Sequence, residues 1–223
     1  MTTTAREDKL DLAKLRPDAF RAGTEPEIVT LEPALYLTLN GCGNPNEPAG
    51  DFRDAIGALY SVAYPLKMQY KAEGKDFKMP ALEALWWAYQ SFGDEPRDIT
   101  NVGPDWRWRL MIMVPDYVTN DDVEAVKAQQ LAKKGLAAIE HVELELVDEG
   151  LVVQVMYFGP YSGETKAIKA MRHLMREAGL RACGLHHEIY FNDPSRTAPE
   201  KLRTLLRQPV RRVEEECPEG IEE

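Results

Sequence analysis

The stretch of this chain with residue types able to do chemistry is His186-His187-Glu188-Ile189-Tyr190-Phe191. Ile189, Tyr190 and Phe191 favour extended backbone and Asn192-Asp193-Pro194 supplies a stop, so the stretch reads as a strand. Side chains alternate along a strand, which puts Glu188 on one face with His186 and Tyr190, and His187, Ile189 and Phe191 on the other. Apolar residues on both faces predict a strand interior to its sheet. A carboxylate there is either neutralised by a partner or kept to meet something that enters. Glu188 and Tyr190 could line a pocket together with Tyr157, Trp86, Trp87, Trp106 and Trp108. Flat rings around one buried negative charge suit a planar, apolar or cationic molecule, held by ring stacking and cation–π attraction. The competing reading makes the aromatics plain core and pairs Glu188 with Arg109, Arg203 or a backbone donor; the residues alone leave both open.

Other chemistries are less well supported. Glu83 is a second candidate carboxylate for the site, or a residue at the rim of the sheet. His186 and Glu188 share a face, but a metal site needs three or four ligands, and neither His141 nor His173 has matching spacing. Gly159-Pro160-Tyr161-Ser162-Gly163 lacks the Gly-x-Ser-x-Gly pattern of a nucleophile elbow, and Ser162 reads as a helix cap. There is no glycine-rich phosphate loop, and no cofactor is expected.

The elements that must position these residues follow from periodicity. Glu27 to Leu39 has a strand pattern that Pro33 interrupts, predicting an edge or a bulge. Asp51 begins a helix to about Lys71, whose apolar face includes Phe52, Ile56, Leu59, Ala63, Leu66 and Tyr70; Pro65 predicts a kink in it. Phe77–Tyr89 and Trp106–Val114 read as strands with a loop over 90–104 between them, and Trp106, Trp108, Leu110 and Ile112 take the inward face of the latter. Asp121–Lys134 is a helix stopped by Gly135. Val142–Leu146 and Leu151–Phe158 are strands, a helix capped by Ser162 carries Ile168, Met171, Leu174 and Met175 inward, and Leu202–Val210 is the last strand. Residues 1–25 read as an arm that packs lightly or frays, and the acidic end from Glu214 as a frayed tail.

The order strand, helix, strand, strand occurs twice, over about 26–118 and 140–213. It predicts an α+β fold of two tandem modules with antiparallel sheets, related by a pseudo-twofold, and two such modules back to back would leave a ligand cleft between them.

With 223 residues, 44% hydrophobic and 29% charged, the chain has an ordinary globular balance. A net charge of −10 argues against direct nucleic-acid binding, which needs a basic patch. No apolar run is long enough to span a bilayer and no signal peptide opens the chain, so no membrane partner is expected. Cys42, Cys183 and Cys217 lack paired metal spacing and read as reduced thiols of a cytoplasmic protein.

Several segments then match a known pattern. They are Gly41-Cys42-Gly43-Asn44-Pro45-Asn46, Leu59-Tyr60-Ser61-Val62-Ala63-Tyr64, Pro80-Ala81-Leu82-Glu83-Ala84-Leu85-Trp86-Trp87, Gly159-Pro160-Tyr161, His187-Glu188-Ile189-Tyr190 and Pro199-Glu200-Lys201-Leu202-Arg203-Thr204 with Pro209-Val210. On these, over about residues 9–213, the chain resembles the GyrI-like small-molecule-binding proteins in their stand-alone, cyclopropanoid cyclopropyl hydrolase-like form. Cys42 and Asn44 stand where relatives often carry acidic residues. The resemblance implies tandem modules with Glu188 as the acid at the cleft floor and aromatic walls. Some stand-alone relatives hydrolyse the cyclopropane of cyclopropapyrroloindole-type DNA-alkylating natural products, which implies a detoxifying enzyme with an aromatic small-molecule ligand. On that reading Glu188 serves the attacking water, Tyr157 or Tyr190 hydrogen-bonds the water or the developing phenolate, and Trp86, Trp87, Trp106, Trp108, Glu83 and His186 bind the ligand. Other relatives are drug-sensing effector domains or inhibitors of DNA gyrase, so a non-catalytic drug-binding protein and a gyrase-interacting factor are the alternatives.

Overall fold

The computed structural model describes residues 9–47, 50–88 and 106–217. The expected strand end at Tyr89 and the expected loop over 90–104 lie outside the described residues. In chain order the elements are α1 (Leu12–Leu15), α2 (Pro17–Phe20), β1 (Glu27–Thr30), β2 (Ala34–Cys42), α3 (Asp51–Ala72), β3 (Leu82–Ala88), β4 (Trp106–Met113), α4 (Asn120–Lys134), β5 (Glu143–Val147), β6 (Leu151–Phe158), α5 (Thr165–Glu177), β7 (Leu180–Ala182), β8 (His186–Tyr190) and β9 (Arg203–Arg212).

The fold is α+β, built on an open antiparallel sheet ordered β1-β6-β9-β8-β3-β4-β2-β5, with β7 paired to β9. The order is a palindrome. The first strand–helix–strand–strand unit, β2-α3-β3-β4, lies in the sheet as β3-β4-β2, and the second, β6-α5-β8-β9, as β6-β9-β8. The units therefore stand side by side, joined where β8 pairs β3, rather than back to back. Pro33 does more than bulge a strand. It cannot donate to a ladder, and at this break the chain leaves β1, beside β6, and enters β2, between β4 and β5.

Strand alternation sorts the core. Along one line across the sheet Val155 faces Leu206, Leu206 faces Glu188, Glu188 faces Ala84, Ala84 faces Leu110 and Leu110 faces Leu39. Cross-strand partners point to the same side. On that side α3 and α4 bury Leu59, Val62, Leu66, Val123 and Val126 over Leu37, Leu39 and Ile112, while α5 buries Met171 and Met175 over Val153 and Val155. On the reverse side Leu12, Ala19 and Phe20 of the arm cover Met111, Met113, Ile189 and Leu205. The arm thus packs firmly from Leu10, which bridges Phe77, instead of fraying. Leu12 and Phe20 buried on a sheet supply the reason, at roughly 1.5–3 kcal/mol each, and Ala19 adds less.

Helix ends follow local chemistry. Thr119 accepts the Asp122 amide and Gly135 closes α4 at φ 64°. α3 runs on through Pro65 as one helix. Ser162 does not cap α5: it lies exposed in a short 3-10 turn, Tyr161–Gly163, and the helix begins at Thr165 after Glu164. Cys183 and Cys217 form a disulfide, where the sequence suggests free thiols, because the β7–β8 turn and the chain beyond β9 bring their Cα atoms to 5.6 Å. Cys42 is free and exposed. Among the described residues no helix is long and apolar enough to cross a membrane.

Candidate functional site

Between the two helical layers the sheet is left partly uncovered, and its centre is the β3–β8 pair. A cavity of about 910 Å³ opens there, within the range of small-molecule sites. Its floor is Glu188 and Tyr190 of β8 with Leu82 and Trp86 of β3. Phe52, Ile56 and Tyr60 of α3 form one wall. Trp106, the 160–164 turn and residues 191–194 close the rest.

The aromatic walls are tied to one another. Phe52 stacks on Trp86 at 5.4 Å and meets Trp108 edge-on at 5.2 Å, and Trp106 meets Trp86 edge-on at 5.9 Å. Trp86 Nε1 donates to the Tyr190 hydroxyl at 2.8 Å, and that hydroxyl is also hydrogen-bonded to Glu188. Burial, and then the Glu188 charge, push the Tyr190 phenol well above its ordinary range, so it stays a donor. Tyr161 packs edge-on against Tyr190 at 5.8 Å and is pushed up to about 12 by the same two causes.

Glu188 is 6% exposed. His186 Nε2 lies 3.4 Å from its Oε1. Among the described residues no arginine pairs with it. Arg109 binds Glu145 at 2.9 Å and Asn40 at 2.7 Å, Arg203 lies over the Phe191 ring at 5.7 Å, and Arg207 lies on the reverse face.

A second carboxyl faces the cavity. Glu164 is 1% exposed, and its Oε1 meets no donor among the described residues. Burial, then the neighbouring Glu188 carboxylate, push it up to about 10, against the opposing pull of the Thr204 hydroxyl. The cavity therefore holds two carboxyls, and burial beside Glu188 favours the protonated form of Glu164. Sequence reasoning missed Glu164 by reading its neighbour Ser162 as the helix cap. A signal was present: Glu164 stands four residues before Ile168, seven before Met171 and eleven before Met175, on the apolar stripe of α5.

The other expected site residues are spread more widely. Trp86, Trp106, Glu188 and Tyr190 come together in the cavity, and His186 stands beside Glu188. Trp108 lies beneath it, 1% exposed, over Gly41, where an added Cβ would sit 2.1 Å from the indole. Trp87 alternates to the reverse face and borders a separate cavity there. Glu83 is also on the reverse face, 1% exposed, with its Oε2 3.0 Å from His187 Nε2, and it does not line this cavity. Tyr157 is not among the cavity walls. Its hydroxyl donates to the Pro160 carbonyl at 3.0 Å and fills the space left by Gly159 and Gly163, bracing the turn before Glu164.

Comparison with known proteins agrees with this architecture. The model of the GyrI-like small molecule binding domain matches residues 114–211. The crystal structure of a conserved protein from Listeria innocua is 32% identical with a TM-score of 0.81, over 91% of this chain and 100% of that one. The chain belongs to the GyrI-like small-molecule-binding family. A second Listeria innocua structure, of a protein named as a hydrolase, is 30% identical with a TM-score of 0.78, over 91% and 100% of the two chains. The C-terminal domain of EcmrR shares the fold at 12% identity and a TM-score of 0.51, over 85% of this chain and 98% of that domain. Among curated proteins the sequence finds no match.

Proposed function

We propose that this GyrI-like protein seats flat hydrophobic or cationic aromatic molecules in the cavity over β3 and β8 and hydrolyses the strained cyclopropane of cyclopropapyrroloindole-type alkylating agents. The observation that carries the reading is Glu188: a buried carboxylate without an arginine partner among the described residues, facing an aromatic-walled cavity of about 910 Å³. The 30% identity to a protein named as a hydrolase supports the reaction class.

In such a substrate the cyclopropane is conjugated to a dienone. Glu188 orients water and takes its proton, the water oxygen bonds to a ring carbon, and the cyclopropane C–C bond breaks. The electron pair moves into the dienone, which becomes a phenolate and takes a proton to end as a phenol. The sum is substrate plus one water. Tyr190, held by Trp86, keeps the Glu188 carboxylate aimed. General-base assistance is worth about two to four orders of magnitude in rate.

The test is to incubate the protein with a cyclopropane-bearing alkylator and follow the gain of one water by mass spectrometry. Glu188→Gln should retain binding, read by tryptophan quenching, and lose turnover by about 10²–10⁴-fold. A Gln variant that consumes substrate at the parent rate removes Glu188 from the mechanism. Binding without hydrated product in the parent leaves a drug-binding protein.

A further inference from the structure

Glu164 has no role in the mechanism above, yet it is one of the most deeply buried carboxyls among the described residues. Its Oε1 is unpartnered among the described residues and it faces the same cavity as Glu188. An acid so placed must either hold a proton or face a cation, because an isolated buried carboxylate is too costly. The groups facing it come from every adjoining element: Glu188 and Tyr190 of β8, Thr204 of β9, Tyr157 of β6 and Tyr161 of the turn before α5. They are one carboxylate and four hydroxyls, with the His186 ring beyond Glu188.

We propose that the cavity exchanges a proton for a cation: Glu164 keeps its proton when the cavity is empty or holds a neutral guest, and releases it to solvent when a cationic aromatic guest seats beside the two carboxyls. With a neutral guest, the Glu164 carboxylic acid is a hydrogen-bond donor for a carbonyl. With a cationic guest, the ionised pair supplies two negative charges. The same walls thus accept both classes without an unpaired buried charge in either case. The ordinary energetics allow it: a cation seated beside a buried carboxyl lowers its pKa and so favours release of a proton that burial alone would hold. This inference rests on the reading of the cavity as a seat for flat aromatics and not on any turnover.

The test uses two flat probes, N-methylacridinium as a permanent cation and acridone as a neutral carbonyl compound. Calorimetry at pH 8 in two buffers of different ionisation enthalpy should show about one proton released per N-methylacridinium and none per acridone. Affinity for the cation should rise with pH by up to tenfold per unit towards about pH 10, while affinity for acridone does not rise. Glu164→Gln should bind both probes, abolish the release and flatten the pH profile; acridone binding reports that this variant is folded. Cation binding without proton release in the parent, or release that persists in Glu164→Gln, overturns the inference while leaving the cavity reading intact. Failure of the parent to bind either probe overturns both.

Discussion

Phe52 is the side chain on which the cavity wall turns. It enters at the first turn of α3, lies flat on Trp86 and meets the edge of Trp108. Trp108 can support it only because Gly41, its cross-strand partner, has no Cβ to block the indole. Paired rings of this kind contribute about 0.5–1.5 kcal/mol beyond area burial. Phe52→Ala should therefore weaken binding of a flat probe about two- to tenfold. Fluorescence titration checks this, with circular dichroism to show the fold retained; undiminished affinity would remove Phe52 from the wall.

At the scale of elements, the reverse face is held by charge. His187 lies between Glu83 and Glu149, with Nε2 3.0 Å from the former and Nδ1 2.9 Å from the latter. Arg207, fully buried, donates to Glu149 at 2.9 Å and to the Ala19 carbonyl at 2.6 Å, while Gln154 donates to the carbonyls of Asp18 and Arg21. The network thereby pins α2 to β6, β8 and β9. Burial alone would raise the Glu149 carboxyl, but His187 and Arg207 outweigh it and hold it at about 2. Burial alone would lower His187, but Glu149 and then Glu83 outweigh it and raise it. The signs follow by linkage. The Glu149 contribution is complete above its unfolded value near 4.5 and is lost as pH falls towards about 2. The His187 contribution is complete below its unfolded value near 6.5 and is lost as pH rises through the raised folded value. In denaturant unfolding Glu149→Gln should accordingly lose less stability than the parent as pH falls from about 4.5 towards 2. Equal acid losses in the two proteins would take Glu149 out of that account.

For the whole molecule, the palindromic sheet has an exchanged rim. β1 precedes the first strand–helix–strand–strand unit yet pairs with β6 of the second, and β5 precedes the second yet pairs with β2 of the first. Each unit is thus finished by a strand from the other's side of the chain. We propose that residues 26–118 and 140–213 are modules by descent of pattern but not separate folding units. Residues 26–118 expressed alone should show no cooperative unfolding transition, whereas the full chain should unfold cooperatively. A stable 26–118 fragment would contradict the idea. The cavity is central because it lies where the two units join, over β3 and β8, and neither unit contains all of its walls.

Local pattern was enough to determine a good deal of this protein. β6 and α4 follow from a strongly apolar run in the one and a stopping glycine in the other, and the placement of Glu188 and Tyr190 on one face of an interior strand follows from the two-residue period alone. Period fixes which residues share a face, and it separated Glu83 and Trp87 from Trp86 as well; it does not say which face meets the ligand. That choice was made by packing: α3 and α5 lie on the Glu188 side and leave a gap over it, while on the other side Glu83 is buried against His187 beneath the arm. Glu164, the Cys183–Cys217 bridge and the exchange of β1 and β5 join residues far apart in the chain, and only chain closure in three dimensions brings those side chains within reach of one another.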